Sequence, residues 1–172
     1  MKEISFFAGV VSMNAAEETF AYQIGRAIGL RGWTMMHGGY NGLMEAGARG
    51  CHEHGGRVIA LGLADVQWGD FNSFVDETVV APTTGERLER FVRSDGIIAY
   101  AGGIGTLFEI SGAAHTFLFR PPRKMLFAGE RALRLLDFIT ADGWIFKRPT
   151  RDFSFISRAE TEADVDKWLE SI

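Results

Sequence analysis

Short runs of apolar residues alternate along the chain with segments in which apolar residues recur every three or four positions. The apolar runs occupy residues 4–9, 33–36, 58–63, 96–100, 124–128 and 153–156, with a shorter one at 79–80. The helical spacing is clearest in Ile110, Ala113, Ala114, Phe117 and Leu118. Strands that alternate with helices form a parallel sheet covered on both faces. The pattern therefore predicts an α/β fold.

Composition and charge narrow the class of protein. The 172 residues fit one domain, 1–172. With 18 basic and 22 acidic residues the chain has no positive footprint, so no nucleic-acid partner is expected. The single cysteine, Cys51, excludes an internal disulfide and indicates a reducing compartment. The uncharged stretch at 4–16 is too short to span a membrane and follows no net positive charge, so we expect a cytoplasmic protein with no membrane partner.

Glycine, at 21 of 172 residues, is concentrated at two strand exits. The first is His37-Gly38-Gly39-Tyr40-Asn41-Gly42-Leu43-Met44, and the second is Ala101-Gly102-Gly103-Ile104-Gly105-Thr106-Leu107-Phe108-Glu109. Free amide groups and the helix dipole at such exits favour a phosphate. Each loop taken alone is equally explained as a tight turn. Neither matches a G-x-G-x-x-G or a G-K-[ST] motif, so dinucleotide oxidoreduction and P-loop hydrolysis lose support.

The second loop resembles the P-G-G-x-G-T-x-x-E motif of the LOG family, which includes cytokinin riboside 5′-monophosphate phosphoribohydrolases and proteins labelled possible lysine decarboxylases. The first loop is similar to the family's G-G-G-x-x-G-L-M segment, and Glu86-Arg87 is similar to its E-R pair. The resemblance covers residues 4–140. Ala101 replaces the motif's proline, Tyr40 replaces the third glycine of the first loop, and Val10-Val11 stands where the family has serines. These departures leave open which nucleotide is the substrate and whether catalysis is retained.

The resemblance implies a Rossmann-like fold, here a single-domain doubly wound parallel sheet with helices on both faces, and a homodimer. It also implies a hydrolase that releases free base and ribose 5-phosphate from a nucleoside 5′-monophosphate, with N6-substituted AMP among the candidates. We expect no cofactor and no metal. The resemblance assigns catalysis to Glu109 and Arg87. It assigns nucleotide binding to the glycine loops, with Gly102, Gly103, Gly105 and Thr106 on the phosphate and with Gly38, Gly39, Gly42 and Met44 in the first loop.

Each of the two catalytic candidates has an ordinary structural alternative. Cleavage of an N-glycosidic bond builds positive charge on the ribose, which a carboxylate such as Glu109 can stabilise. However, Thr106 and Glu109 also have the spacing of a capping box at a helix start. In the same way, Arg87 is either a ligand contact or one of the solvated charges of its helix, beside Arg90 and Arg93.

Functions from other classes remain open. The same cradle suits a non-catalytic carrier of a nucleotide or pterin-phosphate cofactor. A pyridoxal-dependent decarboxylase needs a Schiff-base lysine, and Lys124 is the one lysine near a predicted strand. A metal site at Cys51, His52 and His54 is disfavoured, because neighbouring histidines at this spacing point apart on a helix. Aromatic residues in the loop after the third run, among them Trp68 and Phe71, line a base pocket or anchor the loop.

Overall fold

The computed structural model describes residues 1–66, 69–120, 123–141 and 153–172. The strands in these ranges are β1 (Glu3–Phe7), β2 (Thr34–His37), β3 (Arg57–Leu63), β4 (Glu77–Ala81), β5 (Gly96–Ala99), β6 (Lys124–Ala128) and β7 (Ile156–Ala159). The helices there are α1 (Ala15–Gly29), α2 (Leu43–Glu53), α3 (Thr84–Val92), α4 (Ile104–Phe119), α5 (Glu130–Thr140) and α6 (Glu162–Glu170). None of these helices is long and apolar enough to cross a bilayer. The α/β alternation predicted from the sequence is confirmed.

The strands of the described residues form one parallel sheet in the order β4-β3-β2-β1-β5-β6-β7. The chain builds outward from β1 to β4, returns through α3, and then adds β5, β6 and β7 on the other side of β1. The order therefore reverses between β1 and β5, where Phe7 lies opposite Ala99. A ligand crevice forms outside the carboxyl ends of the strands at such a reversal.

Two hydrophobic layers cover the two faces of the sheet, because successive strand residues point to opposite sides. Ile4 and Phe6 pack with α1, α2 and α6, whereas Phe7 packs with α3, α4 and α5. All three side chains are at most 1% exposed. This double covering is the doubly wound arrangement that the family resemblance implies.

Helices α1 and α2 cross at a seam of small residues. A Cβ atom on Gly25 would overlap the carbonyl oxygen of Gly47 and would lie 2.9 Å from the amide nitrogen of Cys51. A Cβ atom on Gly50 would likewise overlap the carbonyl of Tyr22. Backbone therefore packs directly on backbone, so α2 lies close against α1.

Most predicted element boundaries agree with the structure to within a few residues. The side chain of Asn14 caps α1, and Thr161 and Asp164 form a capping box at the start of α6. The last strand is an exception, since it runs from Ile156 to Ala159 rather than over 153–156. Phe153 and Phe155 instead pack against the core just before the strand begins.

Candidate functional site

The segment that leaves β1 connects the two glycine loops at the carboxyl edge of the sheet. The amide of Gly9 donates to the carbonyl of Ala101 at 2.9 Å, and the amide of Leu43 donates to the carbonyl of Gly9 at 3.1 Å. Gly42 has a φ of +70°, and a Cβ atom there would overlap the carbonyl of Val10. Only a glycine fits this approach, so the two loops and the β1 exit form one continuous surface.

The second glycine loop presents unpaired backbone amides at the start of α4. Helix α4 begins at Ile104 with Gly103 as its N-cap and no side-chain cap. A Cβ atom on Gly102 would overlap Thr106 Oγ1, so the loop turns tightly against its own helix. Gly103 and Gly105 face open space and are exposed. The first amides of a helix have no partner within the helix, so this edge can accept an anion.

Arg87 and Glu109 form a largely buried ion pair, called here the Arg87–Glu109 pair. Arg87 Nη1 donates to Glu109 Oε1 at 2.7 Å, and Arg87 Nε donates to the carbonyl of Leu61 at 2.7 Å. The guanidinium also lies 5.0 Å from the ring centre of Phe91. The side chains of Arg87 and Glu109 are 20% and 11% exposed. The interpretation of Arg87 as a solvated helix charge is therefore wrong.

Glu109 does not cap α4. Helix α4 begins at Ile104, so Thr106 lies within its first turn and Glu109 lies in its second turn. The capping-box spacing had instead placed Glu109 in the first turn. Its carboxylate faces Arg87 instead of the helix start. Burial raises the pKa of the Glu109 carboxyl, and the charge and hydrogen bond of Arg87 oppose this only in part. A carboxyl in this environment is suited to proton exchange closer to neutral pH than an exposed one.

The first glycine loop packs against the Arg87–Glu109 pair. A Cβ atom on Gly38 would lie 2.8 Å from Arg87 Nη2 and 3.0 Å from Met44 Sδ. His37, just before this loop, is completely buried, and its Nδ1 accepts a hydrogen bond from the amide of Gly39 at 2.8 Å. The sequence left open whether His37 touches a ligand or packs in the interior, and the structure shows it packed beneath the loop.

The loop between β3 and β4 is anchored on the first glycine loop through Asn72, which the sequence analysis missed. The side-chain amide of Asn72 donates to the carbonyls of Gly39 and Tyr40 at 2.9 and 3.0 Å. The ring of Phe71 packs against that of Tyr40 with centroids 5.4 Å apart. Phe71 thus anchors the loop, while Trp68 lies outside the described residues. An aperiodic loop gives no sequence signal for such an anchor.

Two cavities open at the same edge of the sheet, and the Arg87–Glu109 pair lines neither of them. One, of about 540 Å³, lies between the start of α4 and α5 and is lined by Gly102, Thr106 and Arg131. The other, of about 490 Å³, is lined by the starts of α1 and α6 and shares Arg131. Arg131, also missed from the sequence, pairs with Glu17 through contacts of 2.6 and 2.7 Å.

The remaining candidate ligands of a metal have other roles. Cys51 is buried, and burial raises the pKa of its thiol to about 12. His52 Nδ1 lies 3.1 Å from Asp76 Oδ1, and His54 contacts the carbonyl of Gly50. Within the ranges that the structure describes, three or more His, Cys, Asp or Glu side chains nowhere gather as a metal site would require.

The fold and the two glycine loops define a Rossmann-like α/β protein of the LOG/SLOG superfamily. The model of the SLOG cluster4 family matches residues 7–117, and the chain belongs to that family. The resemblance to LOG proteins therefore holds at the level of the superfamily, whereas the matching family is SLOG cluster4 and not LOG itself.

Three relatives are similar in sequence to part of the chain. An uncharacterized protein of Archaeoglobus fulgidus is 35% identical over 98 residues, or 55% of this chain and 64% of that protein. A pyrimidine/purine nucleotide 5′-monophosphate nucleosidase of Escherichia coli K12 is 31% identical over 58% of this chain and 24% of its own length. A cytokinin riboside 5′-monophosphate phosphoribohydrolase of Mycobacterium tuberculosis is 36% identical over 54% of this chain and 51% of its own length. The chain thus spans less than two-thirds of each of these relatives.

Solved structures share the fold over nearly the whole chain. The molybdenum cofactor binding protein of Rippkaea orientalis has a TM-score of 0.76 at 21% identity, covering 99% of this chain and 96% of that one. The molybdenum cofactor carrier protein of Chlamydomonas reinhardtii has a TM-score of 0.74 at 18% identity, with the same coverage. At these identities the likeness confirms the Rossmann-like fold alone.

Proposed function

We propose that the protein is a nucleoside 5′-monophosphate phosphoribohydrolase, which hydrolyses the N-glycosidic bond to give free base and ribose 5-phosphate. The observation that carries the proposal is a buried carboxylate, Glu109, held by Arg87 one helical turn beyond the exposed amides at the start of α4. Nucleosidase and phosphoribohydrolase relatives support the same reaction class.

In the proposed mechanism the second glycine loop binds the 5′-phosphate through the amides of Gly103, Gly105 and Thr106, with Gly102 allowing the tight turn. The ribose then lies toward Glu109. As the bond from C1′ to the base nitrogen breaks, positive charge grows on the ribose, and the carboxylate stabilises it. Water adds to C1′, and its proton passes by way of Glu109 to the departing base. Arg87 keeps the carboxylate in place and contacts the substrate.

The base has an apolar surface available at the exit of β1. Val10, Val11 and Met13 are 47%, 64% and 70% exposed. In this proposal the three side chains offer van der Waals contacts to a planar ring, and Val10 and Val11 do so where the LOG family has serines. Gly38, Gly39, Gly42 and Met44 belong to the same site, as the first loop that supports Arg87 and the β1 exit.

A direct assay tests the proposed reaction. The purified protein is incubated with AMP, GMP, CMP, UMP and N6-substituted AMP, and free base and ribose 5-phosphate are quantified by chromatography. At least one substrate is expected to release both products in equal amounts. Binding of a nucleotide without any release of base would contradict the hydrolase and favour a carrier.

Replacement of Arg87 by alanine is expected to lower kcat/KM about 10- to 100-fold, which corresponds to the loss of one charge-assisted hydrogen bond of about 1.5–3 kcal/mol. The steady-state rate of base release measures the effect. Arg93→Ala is the matched control, because Arg93 lies near the end of the same helix with a side chain 70% exposed. An Arg87→Ala variant as active as the Arg93→Ala control would remove Arg87 from the site.

A non-catalytic carrier of a pterin-phosphate cofactor is the second candidate. The cavity of about 540 Å³ favours it, because Gly102, Thr106 and Arg131 line this cavity whereas the Arg87–Glu109 pair does not. A pterin phosphate bound with its phosphate on the loop and its ring in this cavity would leave Glu109 without a role. A decarboxylase loses support, because Lys2 immediately precedes β1 and Lys124 is the first residue of β6, so both lie at the opposite edge of the sheet. Lys147 lies outside the described residues.

We also propose a homodimer formed through α4. Ile104, Leu107, Phe108 and Phe119 are 83%, 40%, 47% and 69% exposed along this helix. Phe117, on the opposite side of the same helix, is buried in the core. An apolar stripe on one helix is self-complementary across a two-fold axis.

Light scattering is expected to give twice the 19.0 kDa mass of one chain, and Phe108→Glu is expected to give the single mass. Val80→Glu, on the edge strand β4 and 56% exposed, is the control that keeps the double mass. A single mass for the parent protein would contradict the dimer.

A further inference from the structure

The imidazole of His37 is held in one tautomer. Its Nδ1 accepts the hydrogen bond from the amide of Gly39, so the proton of the neutral ring is on Nε2. Nε2 has no partner among the described residues, although His37 is fully buried. Burial and the nearby charge of Arg87 lower the pKa of His37 to about 3, so the ring stays neutral. An apolar side chain at position 37 would avoid the unpaired Nε2, but it would leave the amide of Gly39 without its acceptor.

The Gly39 peptide is held from both sides. Its N–H donates to His37, and its carbonyl accepts from the backbone amide of Asn72 at 2.8 Å and from the Asn72 side chain at 2.9 Å. Gly39 has a φ of +90°, and a Cβ atom there would lie 2.7 Å from that of Ala60. His37 and Asn72 thus hold the backbone of residue 39 in a conformation that only glycine can adopt. We call these contacts the Gly39 clamp.

The Gly39 clamp lies next to the guanidinium of Arg87. Gly38, between His37 and Gly39, approaches Arg87 so closely that a Cβ atom would lie 2.8 Å from Nη2. Arg87 is otherwise held by the carbonyl of Leu61 and by Glu109. Movement of the Gly38-Gly39 turn would therefore either push the guanidinium away from the carboxylate or open a space beside it.

We propose that His37 and Asn72 are positioning residues, which act through the Gly39 clamp to hold Arg87 against Glu109. This inference rests on the proposed function for its catalytic consequence, but the position of Arg87 is itself measurable without turnover. The 5′-phosphate is assigned to the other glycine loop, so loss of the clamp acts mainly on kcat and changes KM for AMP less.

Three variants of His37 distinguish the role of Nδ1 from that of Nε2. In His37→Asn, the side-chain oxygen Oδ1 is bonded to Cγ as Nδ1 is in histidine, so it can still accept from the amide of Gly39. This variant is expected to keep kcat within about threefold of the parent. His37→Gln, whose polar group lies near Nε2, and His37→Leu are expected to lose about 10- to 100-fold in kcat, since a misplaced catalytic group costs this much. Asn72→Leu breaks the clamp from the carbonyl side and is expected to behave like His37→Leu. His54→Leu, at the end of α2, is the histidine control.

Nuclear magnetic resonance gives the readout that does not depend on activity. Slow hydrogen exchange of the Arg87 guanidinium is expected in the parent and in His37→Asn, and fast exchange is expected in His37→Leu. All variants are compared at a temperature at which circular dichroism shows them folded. Equal exchange and equal kcat in His37→Asn and His37→Leu would overturn the inference, as would a change confined to KM. If no variant and no parent releases base, the exchange data still decide the positioning role, and only the proposed function fails.

Discussion

Glu109→Gln is expected to abolish release of free base while leaving nucleotide binding intact. Glutamine has the same shape and keeps a hydrogen-bond acceptor for Arg87, but it has no negative charge to stabilise the developing ribose cation. The removal of one group that stabilises transition-state charge costs about 10²- to 10³-fold in kcat. The phosphate, bound to backbone amides at the start of α4, is not affected by this change.

Two measurements check the result for Glu109. Base release is followed at saturating nucleotide, and AMP binding is followed by calorimetry. Glu89→Gln is the matched control, because Glu89 lies on the surface of α3 and pairs with Arg93 and Arg120. Full activity in Glu109→Gln, or loss of activity equal to that of the control, would end the assignment of Glu109 as the catalytic carboxylate.

The pH dependence of the parent protein gives an independent check on Glu109. Because the pKa of Glu109 is raised in the folded state, its proton is held more tightly there than in the unfolded chain. The contribution of this group to stability is therefore present at low pH and is lost as the pH rises from the ordinary carboxyl pKa through the raised one. Base release, which needs the ionised form, is expected to increase over the same interval.

Gly25→Ala is expected to lower the free energy of unfolding by about 1–3 kcal/mol, the usual range for overpacking a close contact. The added methyl group would meet the backbone of α2 at Gly47 and Cys51, which cannot rotate away as a side chain would. This loss is net of the roughly 1 kcal/mol that alanine gains over glycine in helix propensity. For a chain of this length the melting temperature is expected to fall by about 2–4 °C per kcal/mol.

Urea unfolding of Gly25→Ala and Gly85→Ala measures the effect of the α1–α2 crossing. Gly85 lies in the first turn of α3, where the nearest atom to an added Cβ, Thr83 Oγ1, is 3.9 Å away. The control is expected to be as stable as the parent or slightly more stable. If both variants are equally stable, the two helices do not pack as closely as the structure describes.

The sequence predicted the layers of the fold because each strand and helix has its own local pattern of apolar residues. It did not predict the contacts within the site, since these contacts join residues that are distant in sequence. Arg87 and Glu109 lie 22 positions apart on different helices, and neither local pattern reveals the pair. Asn72 lies in an aperiodic loop, and the two carbonyls to which its side-chain amide donates are more than 30 positions away.

The sequence also misplaced two features for physical reasons. Thr106 and Glu109 have the spacing of a capping box, but the glycines let the helix begin two residues before Thr106. The aromatic residues at 153–155 look like a strand because they are apolar, yet they pack against the core before the chain joins the sheet at Ile156. Spacing alone does not distinguish these arrangements.

The burial of Cys51 makes the protein convenient for spectroscopy. Its thiol is the only one in the chain, has no exposed surface and ionises only at strongly alkaline pH. A maleimide dye or nitroxide added under native conditions will therefore leave the parent protein unlabelled. Two cysteines introduced at exposed positions, one of them at Val80, become the two attachment points, so the distance between their labels in the folded chain can be measured without first removing a native thiol.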